Sequence, residues 1–280
     1  MAPANADQVT CWNGPTGERW AREQAAIDRA FAALTARLLA FAALKPGEHV
    51  LDVGCGCGVT TLAAVDAVGP TGAVLGIDVS APMLARARDR SAGRPNIAYV
   101  EGDASTRVFE ATCEVVLSRL GVMFFRDPVA AFANLRTALG PGGRVAFLCW
   151  RPAADNEWVR LPYDAAAQHL PAEPAAAPDE PGPFAFGDRA RVEGILAGAG
   201  FTSVAVTPLD AEIVLSEEGL DAAVQFVMTV GPTSHLFRES TDDATARARR
   251  ALQAALRPRL RGERLTLAGA TWLVRAQTNS

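Results

Sequence analysis

The sequence predicts an α/β fold in which helices cover both faces of a mainly parallel sheet. Three observations carry this. Short apolar runs at 49–53, 73–77, 97–100, 114–117 and 144–150 alternate with stretches of helical pattern. The turns between them are short and rich in Gly, Pro and Asp. The first run empties directly into Gly54-Cys-Gly-Cys-Gly58, a glycine loop that leads into a helix. Strands flanked by helices are buried on both faces, so they read as continuous apolar runs rather than alternating ones.

The elements follow in order. Residues 18–44 place Ile27, Phe31, Leu34, Leu38 and Phe41 at spacings of three and four, which predicts an amphipathic helix. Lys45-Pro46-Gly47 ends it. His49–Val53 is a buried strand, and a helix is expected from about Val59 to Val68. Ala73–Ile77 is the second strand, closed by Asp78; Ser80 caps the next helix, with Pro82 in its first turn. Ile97–Val100 and Glu114–Leu117 are the third and fourth strands. A helix at Pro128–Leu139 and a tight turn at Gly140-Pro-Gly-Gly143 lead to the fifth strand, Arg144–Trp150.

After Trp150 the alternation breaks. Residues 152–187 are rich in Pro and Ala and read as an insertion, part helix and part proline-stiffened loop. A helix at Arg189–Ala199, a strand at Thr202–Thr207, a mostly helical stretch at 216–260 and a last strand at Arg264–Val274 complete the chain. The expected organisation is a helical arm at 1–44, a ligand-binding core at 45–150, a lid insertion at 151–187, and completion of the sheet at 188–280 with a helical insertion at about 212–262.

Composition narrows the function. The chain has 280 residues, a formal net charge of -4, and 49% hydrophobic and 21% charged residues. That is the composition of an ordinary globular protein with ample core. A mildly acidic chain is a poor binder of phosphate backbones, so no nucleic-acid partner is expected. No run of about 18 apolar residues marks a spanning helix. The opening Met1-Ala-Pro-Ala-Asn-Ala-Asp7 has no basic, apolar signal pattern. Cys11, Cys55, Cys57, Cys113 and Cys149 form no C-x-x-C pair and no metal-ligand spacing, so no metal is expected, and free thiols suit the cytoplasm. Lys45 is the only lysine, which leaves little scope for lysine chemistry. Oligomeric state is not legible.

The glycine loop has two candidate users, a dinucleotide and S-adenosylmethionine. A dinucleotide loop wants G-x-G-x-x-G, whose helix N-terminus faces pyrophosphate. The spacing here is G-x-G-x-G, and Asp52 sits two residues before the first glycine. A carboxylate there repels pyrophosphate but can reach the ammonium of a bound amino acid through water. Asp78 ends the second strand, where a carboxylate accepts both ribose hydroxyls of either ligand. Asp103 ends the third, where it can accept from an adenine amino group.

Taken together, Val50-Leu-Asp-Val-Gly-Cys-Gly-Cys-Gly58, Gly76-Ile-Asp78, Gly102-Asp103-Ala104 and Leu139-Gly-Pro-Gly-Gly143 resemble the class I S-adenosylmethionine-dependent methyltransferases. The similarity is greatest to the small-molecule branch that includes quinone-biosynthesis-type enzymes, and it covers about residues 45–150. The resemblance implies a Rossmann-like, doubly wound, seven-stranded sheet of order 3-2-1-4-5-7-6, with the last strand antiparallel. It implies that Gly54, Gly56 and Gly58 line the methionine moiety, that Asp78 binds the ribose, and that Met83 packs near the adenine. Asp103 and Ala104 would hold the adenine, and Ser118 would lie near the methionine carboxylate. Cys55 and Val79 complete this cofactor set. The acidic or Asn-Pro-Pro-aromatic clamp of amino-directed branches is missing; that place reads Ser118-Arg119-Leu-Gly-Val-Met-Phe-Phe125. Metal-dependent catechol-type enzymes need acidic ligands and a lysine, but Lys45 precedes strand one, at the wrong end of the sheet.

On the acceptor side, Arg119, Met123 and Trp12 are the expected contacts, with Trp20 and Phe124-Phe125 as neighbours. A sulfonium favours aromatic faces. His169 and His235 fall in the two insertions and are the candidate general bases, with Tyr163 and Glu157 weaker ones. His49 starts the first strand, at the opposite end, and reads as structural. The expected function is methyl transfer from S-adenosylmethionine to an oxygen or carbon of a small, mostly apolar molecule. An NAD-dependent oxidoreductase, or a non-methylating S-adenosylmethionine-binding protein on the same fold, are the alternatives.

Overall fold

The computed structural model describes residues 5–110, 112–171, 177, 179–238 and 240–278. Four helices open the chain: α1 (Ala6–Asn13), α2 (Pro15–Arg22), α3 (Gln24–Ala30) and α4 (Ala32–Ala42). The amphipathic stretch expected as one helix is therefore broken. Its breaks fall at single residues, Glu23 and Phe31, whose ψ angles of 10° and 16° interrupt the helix without Gly or Pro. An interruption so short leaves the three-four periodicity intact, so the pattern alone does not reveal it.

The core alternates as expected: β1 (His49–Val53), α5 (Val59–Val68), β2 (Ala73–Asp78), α6 (Ala81–Arg90), β3 (Ile97–Glu101), β4 (Cys113–Arg119), α7 (Pro128–Thr137) and β5 (Leu139–Trp150). The Ser80 side chain accepts from the Met83 N–H, with Pro at the start of α6, as the cap signal implied. Residues 140–143, expected as a turn, loop out as an irregularity inside β5. Cys113 pairs with Leu139, and two residues on, Val115 already pairs with Arg144.

Then follow α8 (Glu157–Ala166), α9 (Arg189–Gly198), β6 (Thr202–Ser216), α10 (Leu220–Thr229), α11 (Asp242–Leu256), a two-residue β7 (Leu260–Arg261) and β8 (Arg264–Gln277). The centre of the proline-rich stretch, 172–176 and 178, lies outside the described residues. Strand β6 is longer than expected because it stays paired to β8 from Thr202 through Ser216. The second helical insertion thus begins at Leu220, not at 212.

The sheet order is β3-β2-β1-β4-β5-β8-β6, with β7 paired to β8. The first five strands are mutually parallel, and β8 is antiparallel to both its neighbours. This is the order the resemblance implied; the short β7 only adds to it. Fully buried Leu34, Leu38, Ile77, Leu117, Phe132 and Phe147 fill the layers on its two faces. Order reverses between β1 and β4, so the connections leaving these strands diverge and open a crevice at their carboxyl ends.

Candidate active site

A cavity of about 350 Å³ occupies that crevice. Its floor is the loop after β1, and its near walls are the residues that end β2, β3 and β4. The loop after β1 touches the loop after β4 backbone to backbone. A Cβ on Gly54 (φ +66°) would stand 2.8 Å from the Gly121 Cα, and one on Gly121 would stand 2.8 Å from the Val53 carbonyl oxygen. Only glycines permit that approach. Leu120 beside them is held at φ +64°, a rare conformation for a residue with a Cβ.

Asp78 is 8% exposed and lines the cavity. Its Oδ2 accepts from the Gly56 N–H at 2.8 Å and its Oδ1 from the Ser80 N–H at 2.9 Å. Burial pushes its pKa up, opposed by these backbone donors. A carboxylate offers about four lone-pair sites, so capacity for two hydroxyl donors is left. Asp103 accepts from Asn5 Nδ2 at 3.1 Å on both oxygens and from the Ser105 N–H at 2.8 Å. A ribose at Asp78, an adenine toward Asp103 and Ala104, and an amino acid over Gly54–Gly56 fit this set of donors and acceptors. The backbone contact of Gly54 on Gly121 leaves the floor free of side chains there.

Asp52 stands behind the floor. It is fully buried, outside the cavity lining, and its Oδ2 accepts from the Thr61 hydroxyl at 2.6 Å. Its Oδ1 has no hydrogen-bond partner among the described residues. Burial raises its pKa to about 6 against the Thr61 and Thr60 hydroxyls and the Arg119 charge. Arg119 does line the cavity. Its guanidinium donates to the Thr35 hydroxyl at 2.9 Å and lies 5.9 Å from the centroid of the Phe31 ring.

Of the other expected residues, Cys55, Val79, Met83, Met123, Trp12 and His235 also line the cavity. Gly58, Ser118 and His169 do not. The chain has already turned into α5 at Gly58, where a Cβ would stand 2.6 Å from the Tyr99 hydroxyl oxygen. The Ser118 side chain is buried in the sheet and donates to the Val53 carbonyl at 2.7 Å. His169 lies beyond the end of α8, away from the crevice. Of the weaker candidates, Glu157 is paired with Arg259 at 2.5 Å, outside the lining. Tyr163 packs near His235, ring centroids 6.2 Å apart.

The N-terminal helices supply walls that the motifs did not reveal. Asn13 donates to the Val79 carbonyl at 2.7 Å and accepts from the Ala81 N–H at 2.9 Å, and the Ser80 hydroxyl donates to the Trp12 carbonyl at 2.7 Å. Asn5, besides its bonds to Asp103, accepts from the Arg126 N–H at 2.9 Å. Arg90 bridges the Cys57 carbonyl and Asp28 of α3, at 2.5 and 2.7 Å. Trp12 meets Trp20 and Phe124 edge-on, each with centroids 5.5 Å apart. A second aromatic group, Phe31, Trp150 and Trp158, lines the cavity deeper in. Asn5 and Asn13 carried no signal in the sequence, because their partners are about 70 to 120 residues away.

A family model described as a methyltransferase domain matches residues 50–143. The aklanonic acid methyltransferase DauC of Streptomyces sp. (strain C5) is 35% identical over 150 residues, covering 50% of this chain and 68% of that protein. The nocamycin O-methyltransferase of Saccharothrix syringae is 32% identical over 196 residues, covering 65% and 69%. Among solved structures, a Haemonchus contortus phosphoethanolamine N-methyltransferase 2, in complex with S-adenosyl-L-methionine, has a fold similar at TM-score 0.60 and 17% identity. That match covers 100% of this chain and 61% of the other.

Proposed function

The chain belongs to the S-adenosylmethionine-dependent methyltransferases, and from that premise we propose that it methylates an oxygen or carbon of a small, mostly apolar acceptor. One observation carries the reading. One cavity is lined both by the glycine floor, Asp78 and Asp103 and by Phe31, Trp150, Trp158 and His235. When bound, S-adenosylmethionine supplies the activated methyl group. Asp78 holds the ribose hydroxyls, Asp103 and Ala104 the adenine edge, Gly54–Gly56 the methionine backbone, and Arg119 a carboxylate at its end. The aromatic walls orient a flat acceptor and exclude water, the two effects on which methyl transfer chiefly depends. In this scheme His235, which lines the cavity, accepts a proton from an acidic acceptor group; His169, outside the lining, has no part in it.

The nocamycin enzyme is named as an O-methyltransferase, which favours oxygen. The proposed division of the chain gives cofactor binding to 45–150 and sheet completion to 188–280. The acceptor chamber belongs to 1–44, 151–187 and the helical stretch after β6. No described helix is long and apolar enough to cross a membrane. A cytoplasmic location and the absence of a nucleic-acid partner belong to the same proposal, supported by five free cysteines and a net charge of -4.

The test is transfer from methyl-labelled cofactor to a panel of planar phenols, enols, carboxylic acids and amines. Label on oxygen or carbon is expected, and lower turnover for His235→Ala than for His169→Ala. Transfer confined to amines sinks the proposal.

A further inference from the structure

The acceptor end of the cavity carries positive charge that an apolar ligand leaves unanswered. Arg19 of α2 and Arg238, just past the 3-10 turn Pro232–Phe237, both line it. The Arg19 Nε is buried and has no hydrogen-bond partner among the described residues. Burial first, and then the cations Arg238 and Arg22, push the Arg19 pKa down. The acids of the cavity wall are committed elsewhere: Asp28 to Arg90 and Gln24, Asp78 to the Gly56 and Ser80 N–H groups, Asp103 to Asn5 and Ser105. A buried guanidinium donor without an acceptor is costly, and an anionic oxygen relieves it.

Trp158 adds an independent observation. It is 4% exposed, lines the cavity, and its indole Nε1 has no hydrogen-bond partner among the described residues. Its ring is tilted by 40° to Trp150 with centroids 4.9 Å apart, and meets Phe31 edge-on at 5.6 Å. It also abuts Gly231, where a Cβ would stand 2.9 Å from Cζ3, beside the turn that leads to Arg238. An apolar wall of inclined aromatic rings, with one donor unpartnered among the described residues, thus lines the same cavity as the pair of cations.

We propose that the acceptor is a planar organic anion whose acidic group lies between Arg19 and Arg238. Its rings lie on the Phe31–Trp150–Trp158 wall, and a neutral oxygen accepts from the Trp158 N–H. The inference rests on the reading of this chamber as the methyl-acceptor site.

The experiment is calorimetric titration of the S-adenosylhomocysteine-saturated protein with fluorenone carboxylate, fluorenone carboxamide and fluorene carboxylate. The carboxylate is expected to bind at least about tenfold more tightly than the carboxamide. Arg19→Gln and Arg238→Gln should each erase that preference while S-adenosylhomocysteine affinity stays. Trp158→Phe should bring the fluorenone and fluorene carboxylates to equal affinity. Equal binding of the carboxamide, a preference that survives in either arginine variant, unequal carboxylate affinities in Trp158→Phe, or no carboxylate binding at millimolar concentration overturns the assignment. If S-adenosylhomocysteine itself fails to bind the wild type, the methyltransferase reading falls and takes this inference with it. With that binding intact, the other outcomes remove this assignment of the acceptor and leave the methyltransferase reading standing.

Discussion

Asp52 carries a carboxyl group that solvent does not reach, and its stability effect follows from that burial. An ordinary aspartate titrates near 3.9, and here the folded state holds the proton up to about 6. Between those values the native state binds more protons than the unfolded one. Asp52 therefore contributes stability that is fully present below about pH 4 and is lost as pH rises through about 6. Urea unfolding of the wild type and Asp52→Asn across this range should show a stability difference that falls with rising pH and then levels. A pH-independent difference refutes the assignment. Gly121 makes a steric prediction at the same scale. In Gly121→Ala the new methyl collides with the Val53 carbonyl and the Gly54 Cα, both backbone atoms that cannot rotate away. A loss of about 1–3 kcal/mol is expected, together with weaker cofactor binding, since the displaced backbone is the cavity floor. Gly140→Ala, with nothing within 4 Å of the added carbon, is the neutral control in thermal melts.

Of the N-terminal helices, α3 and α4 bury Ile27, Ala30, Leu34 and Leu38, whereas α1 is held by a few polar ties rather than an apolar face. Helix α1 has no buried residue of its own, and Asn13 and the Trp12 carbonyl fasten its end to the loop after β2. Helix α3 is tied by Asp28 to Arg90, both largely screened from solvent. Helix α1, held chiefly by polar ties, opens locally at low free-energy cost. Asn13→Ala should raise hydrogen exchange over residues 6–13. It should weaken S-adenosylhomocysteine binding by about five- to tenfold, the worth of one or two hydrogen bonds, while the global melt hardly moves. Unchanged exchange in α1 argues that its packing, not Asn13, fixes it. The continuous periodicity of 18–44 concealed the breaks at Glu23 and Phe31. Those breaks let α3 cover the glycine loop while α4 packs its buried Leu34 and Leu38 into the core.

At the scale of the whole molecule, the cavity joins residues from the N-terminal helices, five strand ends and both insertions, so ligand binding ties these parts together. S-adenosylhomocysteine at a hundredfold excess over its Kd adds about 2.7 kcal/mol to the folded state. For a chain of this size the melting temperature should rise by roughly 5–10 °C, and NAD should leave it unchanged. A shift with NAD and none with S-adenosylhomocysteine contradicts the family's cofactor in this chain. The parallel core and the antiparallel β8 are what hold the strand ends level: Asp52 pairs in register with both Gly76 and Leu117.

The sequence by itself determined the parallel core, the strand-end placement of Asp78 and Asp103, and the glycine floor. Each is local, since a strand period, a turn and the residue that ends a strand lie within a few positions of one another. The tertiary structure decided the rest, because contact across long separations is not written in periodicity. It put Asn5 on Asp103 and Gly121 against Gly54, and it withdrew Gly58, Ser118 and Asp52 from the cavity lining. It left His235, not His169, in the cavity wall, and it set Arg19 beside Arg238 from opposite ends of the chain. Which groups share one cavity depends on how helices and insertions pack over the sheet, and that is fixed by burial and hydrogen bonding among residues tens to hundreds of positions apart.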